Sequence, residues 1–375
     1  MIIDRILVTH HTHTLEVPFP PSWDSRPRKT FSATLVRVYT VDGAVGVGSG
    51  DAMYGFEDYA ELFLGHEVSD LERHAAVLEN VGFHAGRCWP LDMALWDLEG
   101  LRQGKPVYQL LGGRADKVRA YVSSGVHRSP EEMAEVALRF VEQGFPAMKV
   151  RLGRKGLEKD LEVLRAVRNA VGDRLELMVD CNQGWRMPWD TAEPWNLAEA
   201  TALAERLEEL NVYWMEEPLH RSDLDGMAAL RKKTKMRIAG AEMTREFGDL
   251  MNLVKHDCLD VLQPDVVLSG GFLGLKKLAE AAEKKGMMLT PHTWGNGIGL
   301  LGNAHLTAGA TNATFLEFPF DPPEWTYEGR DFMLEEPVKT NEQGWIQLTE
   351  EPGFGIKLNE ERLNTTEVWQ REYHR

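Results

Sequence analysis

Cysteine, basic residues and long apolar runs are all scarce in this sequence. Its three cysteines lie far apart with no paired spacing, which argues against a disulfide framework and against a cysteine-based zinc site. Acidic residues outnumber basic ones by 58 to 42, and the net charge of −16 is opposite to what nucleic acid or an anionic membrane attracts. No uncharged stretch approaches the length of a membrane span, and no secretory leader pattern opens the chain. We therefore expect a soluble, cytoplasmic protein with reduced thiols that uses neither nucleic acid nor a membrane as a partner.

The first third of the chain predicts an α+β domain. Strand-like runs occur at residues 2–8, 31–40 and 45–48. A helical spacing of apolar residues then extends over about residues 62–111. Two segments rich in proline, glycine and aromatic residues, 18–23 and 46–55, predict mobile loops of the kind that often cover a binding site. A chain of 375 residues is long enough for this domain and a second one.

From residue 118 onward, strand and helix patterns alternate strictly. The last notable residues of the second to eighth strands recur about every 30 positions: Arg151, Asp180, Glu216, Glu242, Asp265, His292 and Glu317. Eight such units predict a (β/α)₈-type barrel, because a doubly wound open sheet would need a glycine-rich phosphate loop after its first strand. The alternation ends near residue 320. We therefore expect a capping domain at 1–115, a barrel at 116–320 and a C-terminal segment, 321–375, that returns to the capping domain.

Acidic residues end three consecutive predicted strands, at Asp180, Glu216 and Glu242. The carboxyl ends of barrel strands form one rim, where these carboxylates would repel one another unless a cation lay between them. Oxygen ligands without cysteine or histidine favour Mg²⁺ over zinc. Such an ion could bind a substrate carboxylate and stabilise the charge formed when the adjacent carbon loses its proton. His292 is the candidate base, and Asp265 on the neighbouring strand would orient its ring.

The order of these motifs resembles that of the enolase superfamily, mandelate racemase subgroup. Further matches are Lys149-Val-Arg151, Val-Asp-Cys-Asn at 179–182 and Met-Glu-Glu-Pro at 215–218. The resemblance implies an α/β fold, a modified TIM barrel of the (β/α)₇β type with an α+β N-terminal capping domain that the C-terminal segment completes. It also implies a homo-oligomer, from dimer to octamer.

The resemblance assigns roles residue by residue. It implies one Mg²⁺ per subunit, with the ligands Asp180, Glu216 and Glu242. It implies catalytic roles for His292, Asp265, Lys149, Arg151 and Glu317, of which the last would hydrogen-bond the substrate carboxylate. The candidate substrate contacts are Asn182 and the two loop aromatics Trp23 and Tyr54. The partner is thus expected to be a small-molecule carboxylate, such as an acid sugar.

Arg151 departs from the family pattern, in which a second lysine of the pair acts as a base. A guanidinium stays protonated and cannot abstract a proton, so this residue weakens the two-base racemase hypothesis. We expect dehydration of an aldonate or aldarate to a 2-keto-3-deoxy acid, with His292 moving the proton. The absence of a lysine around Asp265 argues against the branches that place a base on the sixth strand. A racemase or epimerase of a 2-hydroxy acid remains the alternative, and a non-catalytic barrel that binds Mg²⁺ or a carboxylate is a more remote one.

Overall fold

The computed structural model describes residues 1–154 and 156–375. Its strands are β1 (Ile3–Phe19), β2 (Arg28–Thr40), β3 (Val45–Gly50), β4 (Lys117–Ser123), β5 (Ala147–Arg151), β6 (Glu176–Asp180), β7 (Val212–Glu216), β8 (Arg237–Gly240), β9 (Val261–Leu262), β10 (Met288–Leu289), β11 (Leu316–Pro319), β12 (Trp345–Gln347) and β13 (Glu367–His374). Its helices are α1 (Leu71–His84), α2 (Trp89–Gln103), α3 (Val107–Leu110), α4 (Pro130–Glu142), α5 (Leu157–Val171), α6 (Leu197–Glu209), α7 (Leu224–Lys233), α8 (Phe247–Lys255), α9 (Gly271–Glu283), α10 (Gly297–Gly309), α11 (Tyr327–Arg330) and α12 (Glu360–Thr366). Within the described residues, no helix has both the length and the apolar character needed to cross a membrane.

The strands β4 to β11 form the predicted barrel. They are parallel neighbours in chain order, β11 returns to pair with β4, and α4 to α10 connect them. A bridge between Leu289 and Ala313 joins the β10 region to the segment before β11 and closes the ring. The barrel is therefore a (β/α)₇β modification of the TIM fold, as expected.

Buried side chains fill the barrel below its carboxyl-terminal rim. This interior layer contains aromatic and aliphatic residues from the successive strands β4 to β9 and from the position before β11: Tyr121, Ala147, Met178, Trp214, Ala239, Val261 and Phe315. The Tyr121 and Trp214 rings meet edge to face with centroids 5.2 Å apart. The barrel interior is thus filled by side chains, and a ligand could bind only at the rim formed by the carboxyl ends of the strands.

A second, antiparallel sheet holds the chain ends together. Its strand order is β13-β1-β2-β3, and the β13 pairing aligns Ile6 with Tyr373 and Val8 with Arg371. A single apolar cluster joins this sheet to α1 and α2, with Ile6, Val36 and Leu95 fully buried in it. The last strand of the chain therefore completes the sheet that the first strand begins.

The two predicted loops differ from the structure in their extent. β1 continues through Pro18 to Phe19, and β3 occupies Val45–Gly50, so the start of the first predicted loop and half of the second are strand. The reason is pairing: Phe19 is opposite Arg28, and Gly50 is opposite Thr34. The helical pattern predicted over 62–111 is likewise divided, into α1, α2 and the short α3.

Three barrel strands are shorter than predicted, because their last residues leave the ladder. β8 ends at Gly240, β9 at Leu262 and β10 at Leu289, so the site residues that follow lie on turns. Pro264 and Pro291 have no N–H to donate to a neighbouring strand, which explains two of these endings. Ala241, with φ of 96°, bends the third. Glu242, Asp265 and His292 thus lie on turns that the rigid barrel holds in place.

Two glycines of β3 allow helix α2 to lie directly on the sheet. A Cβ atom at Gly48 would lie 2.0 Å from the carbonyl oxygen of Pro90, and one at Gly46 would lie 2.2 Å from that of Ala94. A residue with a side chain at either position would push helix and sheet apart.

We expect Gly48→Ala to destabilise the protein by about 1–3 kcal/mol, since the added methyl group has no room against the α2 backbone. Gly82→Ala is the matched control, because a Cβ at this helical position meets nothing within 4 Å. Alanine favours a helix over glycine, so the control should be neutral or stabilising by up to about 1 kcal/mol. Urea denaturation of both variants measures the difference, and equal stability would contradict the close-approach argument.

Candidate active site

Three carboxylates from adjacent strand ends converge at the centre of the rim. Asp180 ends β6, Glu216 ends β7 and Glu242 follows β8, and one oxygen of each lies within 4.8 Å of those of the other two. All three side chains are buried, and the Oε2 atom of Glu242 has no hydrogen-bond partner among the described residues. Burial, with Asp180 and Glu317 nearby, raises the pKa of Glu216 against the effect of Lys149. This arrangement fits a hard divalent cation, which would supply the missing positive charge.

Further donors fix two of these acids in position. Gln263 donates to Glu216 Oε2 at 2.7 Å, and the Trp185 indole donates to Glu242 Oε1 at 2.7 Å. Neither Gln263 nor Trp185 was predicted to contact the acids. The sequence signal was weak, because only the position of Gln263 two residues before Asp265 places it at the rim.

Lys149 and Arg151 extend from alternate positions of β5 into the same acidic cluster. The Lys149 ammonium lies 2.5 Å from Glu216 and 2.7 Å from Glu317, and it is fully buried. The Arg151 guanidinium contacts Asp180 and lies 3.6 Å from Glu317. These two cations partly neutralise the acids and so lower the free-energy cost of burying them within the barrel.

Arg151 is held from every side. It donates to the Ser124 carbonyl at 3.1 Å and to the Ser123 hydroxyl at 3.3 Å. The rings of Trp23 and Trp294 lie 4.7 Å and 5.4 Å from its guanidinium carbon, within the range of a cation–π contact. The guanidinium is therefore a fixed cation, and the capping segment with Trp23 helps to fix it.

His292 and Asp265 form the predicted pair on the opposite side of the cluster. The His292 Nδ1 atom lies 3.1 Å from Asp265 Oδ2, and its Nε2 atom lies 3.8 Å from Glu242 Oε2. Asp265 is itself anchored, since its Oδ1 atom accepts from the Asn303 amide at 2.8 Å. The ring therefore presents Nε2 to the space beside the three acids. Burial lowers the pKa of His292, but Glu242, the Asp265 hydrogen bond and Glu317 together raise it to about 9.

Glu317, on β11, lies between the two sides of the site. Its Oε2 atom accepts from the Thr293 backbone N–H at 3.0 Å, and its Oε1 atom faces Lys149. Burial favours the neutral carboxyl group, yet Lys149, His292 and Arg151 lower the pKa of Glu317 below its usual range. Glu317 is therefore an anion, surrounded by the cations of both flanks.

The three predicted substrate contacts differ in where they lie. Asn182 has a left-handed backbone (φ of 50°), and both polar atoms of its side chain are buried without a hydrogen-bond partner in the described part of the chain. Asn182 and Trp23 line a cavity of about 450 Å³ above the β5 and β6 ends. Tyr54 is 77% exposed and its backbone hydrogen-bonds with Gly86, so the structure does not bring it into this cluster. Its predicted role finds no support in the geometry.

Comparison with known proteins decides the family. Residues 4–112 match the N-terminal domain of the mandelate racemase / muconate lactonizing enzyme family, and residues 132–362 match the enolase C-terminal domain-like family. The chain belongs to the mandelate racemase subgroup of the enolase superfamily. It is an enzyme of Mg²⁺-dependent enolase-superfamily chemistry, as predicted, and Mg²⁺ is its cofactor.

Relatives with assigned names include several acid-sugar enzymes. The chain is 31% identical to an arabinonate dehydratase of Saccharolobus solfataricus, over 72% of this chain and 69% of the relative. It is 30% identical to a D-galactarolactone cycloisomerase of Agrobacterium fabrum, over 94% and 95% of the two chains. An L-talarate dehydratase from Polaromonas sp. JS666, crystallised with Mg and L-glucarate, superposes with a TM-score of 0.85 at 25% identity, over 100% of this chain and 99% of that one.

We propose that Asp180, Glu216 and Glu242 are the ligands of the Mg²⁺. We expect Mg²⁺ to raise the unfolding temperature of the wild type, since an ion that binds only the folded state stabilises it. Glu242→Gln should weaken Mg²⁺ binding by about 10-fold or more, because a neutral amide replaces a charged ligand. Titration calorimetry with MgCl₂ measures the change. Glu246→Gln, at a surface residue four positions later, is the control and should bind as the wild type does; equal affinity in the two variants would contradict the assignment.

Proposed function

We propose that the protein dehydrates an acid sugar, an aldonate or aldarate, to a 2-keto-3-deoxy acid. The observation that supports this most is the asymmetry of the rim. A histidine paired with a carboxylate stands on one side, at His292, and a fixed guanidinium stands on the other, at Arg151. A reaction that needs one base fits this arrangement, whereas a reaction that exchanges a proton on both faces of a carbon needs two.

His292 is the proposed general base. Its Nε2 atom faces the space beside Glu242, and Asp265 fixes the tautomer and orientation of the ring through Nδ1. His292 would remove the proton from the carbon next to the substrate carboxylate. The same imidazolium would then give a proton to the hydroxyl group that leaves from the next carbon, which restores the base and releases water. The product of this elimination is an enol, which becomes the 2-keto-3-deoxy acid when its hydroxyl proton is lost and a proton is gained at the third carbon, so protons balance over one cycle.

The cations and Glu317 would hold the substrate for this step. When bound, Mg²⁺ supplies positive charge that stabilises the negative charge formed on the substrate carboxylate. Lys149 and Arg151 add fixed positive charge on the opposite side from His292, with no reorganisation during the reaction. Because the neighbouring cations keep Glu317 an anion, it would position Lys149 and Arg151 rather than donate a hydrogen bond to the substrate carboxylate.

Racemisation or epimerisation of a 2-hydroxy acid is the alternative reaction. Relatives include an N-succinyl-L-Arg/Lys racemase, at 26% identity, as well as cycloisomerases, so similarity alone does not choose the reaction. Lys149 would have to act as the second base, but it is enclosed between Glu216 and Glu317. A non-catalytic carboxylate-binding barrel is disfavoured, because every member of the proposed metal and base set is present.

Proton NMR in D₂O with Mg²⁺ and a set of aldonic and aldaric acids tests the reaction. We expect one or more acids to lose water and give the signals of a 2-keto-3-deoxy acid. Deuterium at the α-carbon without water loss would indicate racemisation or epimerisation instead of dehydration. No exchange and no product from any acid would contradict the proposal in both forms.

The variant His292→Asn tests the base. We expect a loss of kcat of about 10²–10⁴-fold, because asparagine occupies similar space but cannot take a proton. Mg²⁺ affinity should be unchanged, which separates loss of the base from loss of the site. The control is His256→Asn at an exposed position, which should keep wild-type turnover. Near-normal turnover in His292→Asn would contradict the assignment.

A further inference from the structure

A second cavity lies beside the proposed base, on the side of the capping domain. It has a volume of about 270 Å³, and its lining includes Asp265, Thr293 and Trp294 of the barrel together with Arg28 and Asp51 of the capping sheet. Because Asp265 contacts the His292 ring and Thr293 follows His292 in the chain, this cavity lies next to the proposed base. The rest of the substrate chain can therefore extend into it.

Arg28 is the cation of this cavity, and its donors are unused. Among the described residues, its guanidinium forms no hydrogen bond, and its one ion pair is with Asp24 at 4.0 Å. The Asp24 Oδ2 atom, at 4.0 Å, is beyond hydrogen-bond distance of Arg28, and the Oδ1 atom accepts from the Arg26 backbone N–H and the Trp189 indole N–H. Burial lowers the pKa of Arg28, and Asp24 opposes this effect only in part. A planar guanidinium with free donors is suited to a carboxylate.

Asp265, one of the two carboxylates in the lining, does not compete for Arg28. Both oxygens of Asp265 already accept hydrogen bonds, from Asn303 and Val267 on one side and toward His292 on the other. Asp51 ends the β3 side of the cavity and offers an acceptor for hydroxyl groups. Arg28 is therefore available to an incoming anion.

The cavity near Asn182 gives no comparable site. Its arginine, Arg186, donates to the Asn182 carbonyl, the Gln183 side chain and the Ala192 carbonyl, so its donors are occupied. Two acids, Asp24 and Asp190, line the same space. An anion would therefore find no free guanidinium donor there, whereas the Arg28 cavity offers one.

The separation of the two arginines suits a dicarboxylic acid. The guanidinium carbon of Arg28 lies 5.9 Å from the Trp23 ring centroid, and that of Arg151 lies 4.7 Å from it. Both guanidinium groups thus lie near the Trp23 ring, and their carbon atoms are no farther apart than the sum of these two distances. An extended six-carbon diacid has a comparable span between its ends.

We infer that Arg28 binds the distal carboxylate of the substrate, so that the enzyme prefers aldarates, which are diacids, to aldonates. This inference rests on the proposed function, because it takes the first carboxylate to be held at the metal and the α-carbon to face His292. It names Arg28 as the residue that determines substrate class.

The test compares acids that differ only in their second carboxylate. Binding of D-glucarate and D-gluconate, and of galactarate and D-galactonate, is measured by calorimetry on the Mg²⁺-loaded His292→Asn protein, in which binding is separated from turnover. We expect at least one diacid to bind about 10-fold or more tightly than its paired monoacid. Adding Arg28→Gln should weaken diacid binding by about 10- to 100-fold and leave the monoacid unchanged. Arg28→Lys should retain part of the preference.

Arg26→Gln is the matched control, since this neighbouring guanidinium stacks on Trp189 at 3.8 Å and does not line the cavity. It should leave the diacid preference intact, and all variants should unfold at wild-type temperatures without ligand. A preference that survives Arg28→Gln, a preference for monoacids, or no binding of either diacid would overturn the inference. Water loss from an aldarate by an Arg28→Gln enzyme at the wild-type rate and KM would overturn it while leaving dehydration in place. A diacid preference that depends on Arg28 without any water loss would support it while dehydration fails.

Discussion

Mutual repulsion of buried carboxylates is the constraint on which the rim of this barrel depends. Asp180, Glu216, Glu242 and Glu317 are all withdrawn from water within one small volume. Such a group is tolerated only with positive charge between its members. Lys149 and Arg151 supply part of that charge from β5, and a divalent ion bound between the acids would complete it. Under the proposed function, the charges that allow the site to fold are also those that contact the substrate carboxylate.

The capping sheet contributes to the chemistry as well as to the enclosure. Trp23 lies against the Arg151 guanidinium, and Trp294 of the barrel packs on Trp23 with ring centroids 4.8 Å apart. Arg28 follows within the same capping segment. Because β13 pairs with β1, the C-terminal end of the chain supports the sheet that presents these residues. Under the proposed function, substrate selection and barrel chemistry are divided between two parts of the chain that pack together.

The site residues are of two kinds: some lie within the barrel strands, and others lie just past the points where strands end. Asp180 and Glu216 remain in their strands, whereas Glu242, Asp265 and His292 lie past strand ends produced by a positive φ or a proline. Residues on such turns can point toward one centre, which side chains alternating along a strand cannot all do. The barrel holds the turns still, and preorganised charge is what enolase-superfamily chemistry requires.

The sequence by itself determined the barrel, the order of its strands, the acidic triad and the Asp265–His292 pair, because these depend on periodic burial and on residues at fixed strand positions. It also determined that Arg151 cannot act as a base, since that follows from the side chain alone. Only the tertiary structure decided the rest. The strand endings, the anchoring of the acids by Gln263 and Trp185, and the free donors of Arg28 arise from contacts between segments far apart in the chain. The exposure of Tyr54, against expectation, has the same origin.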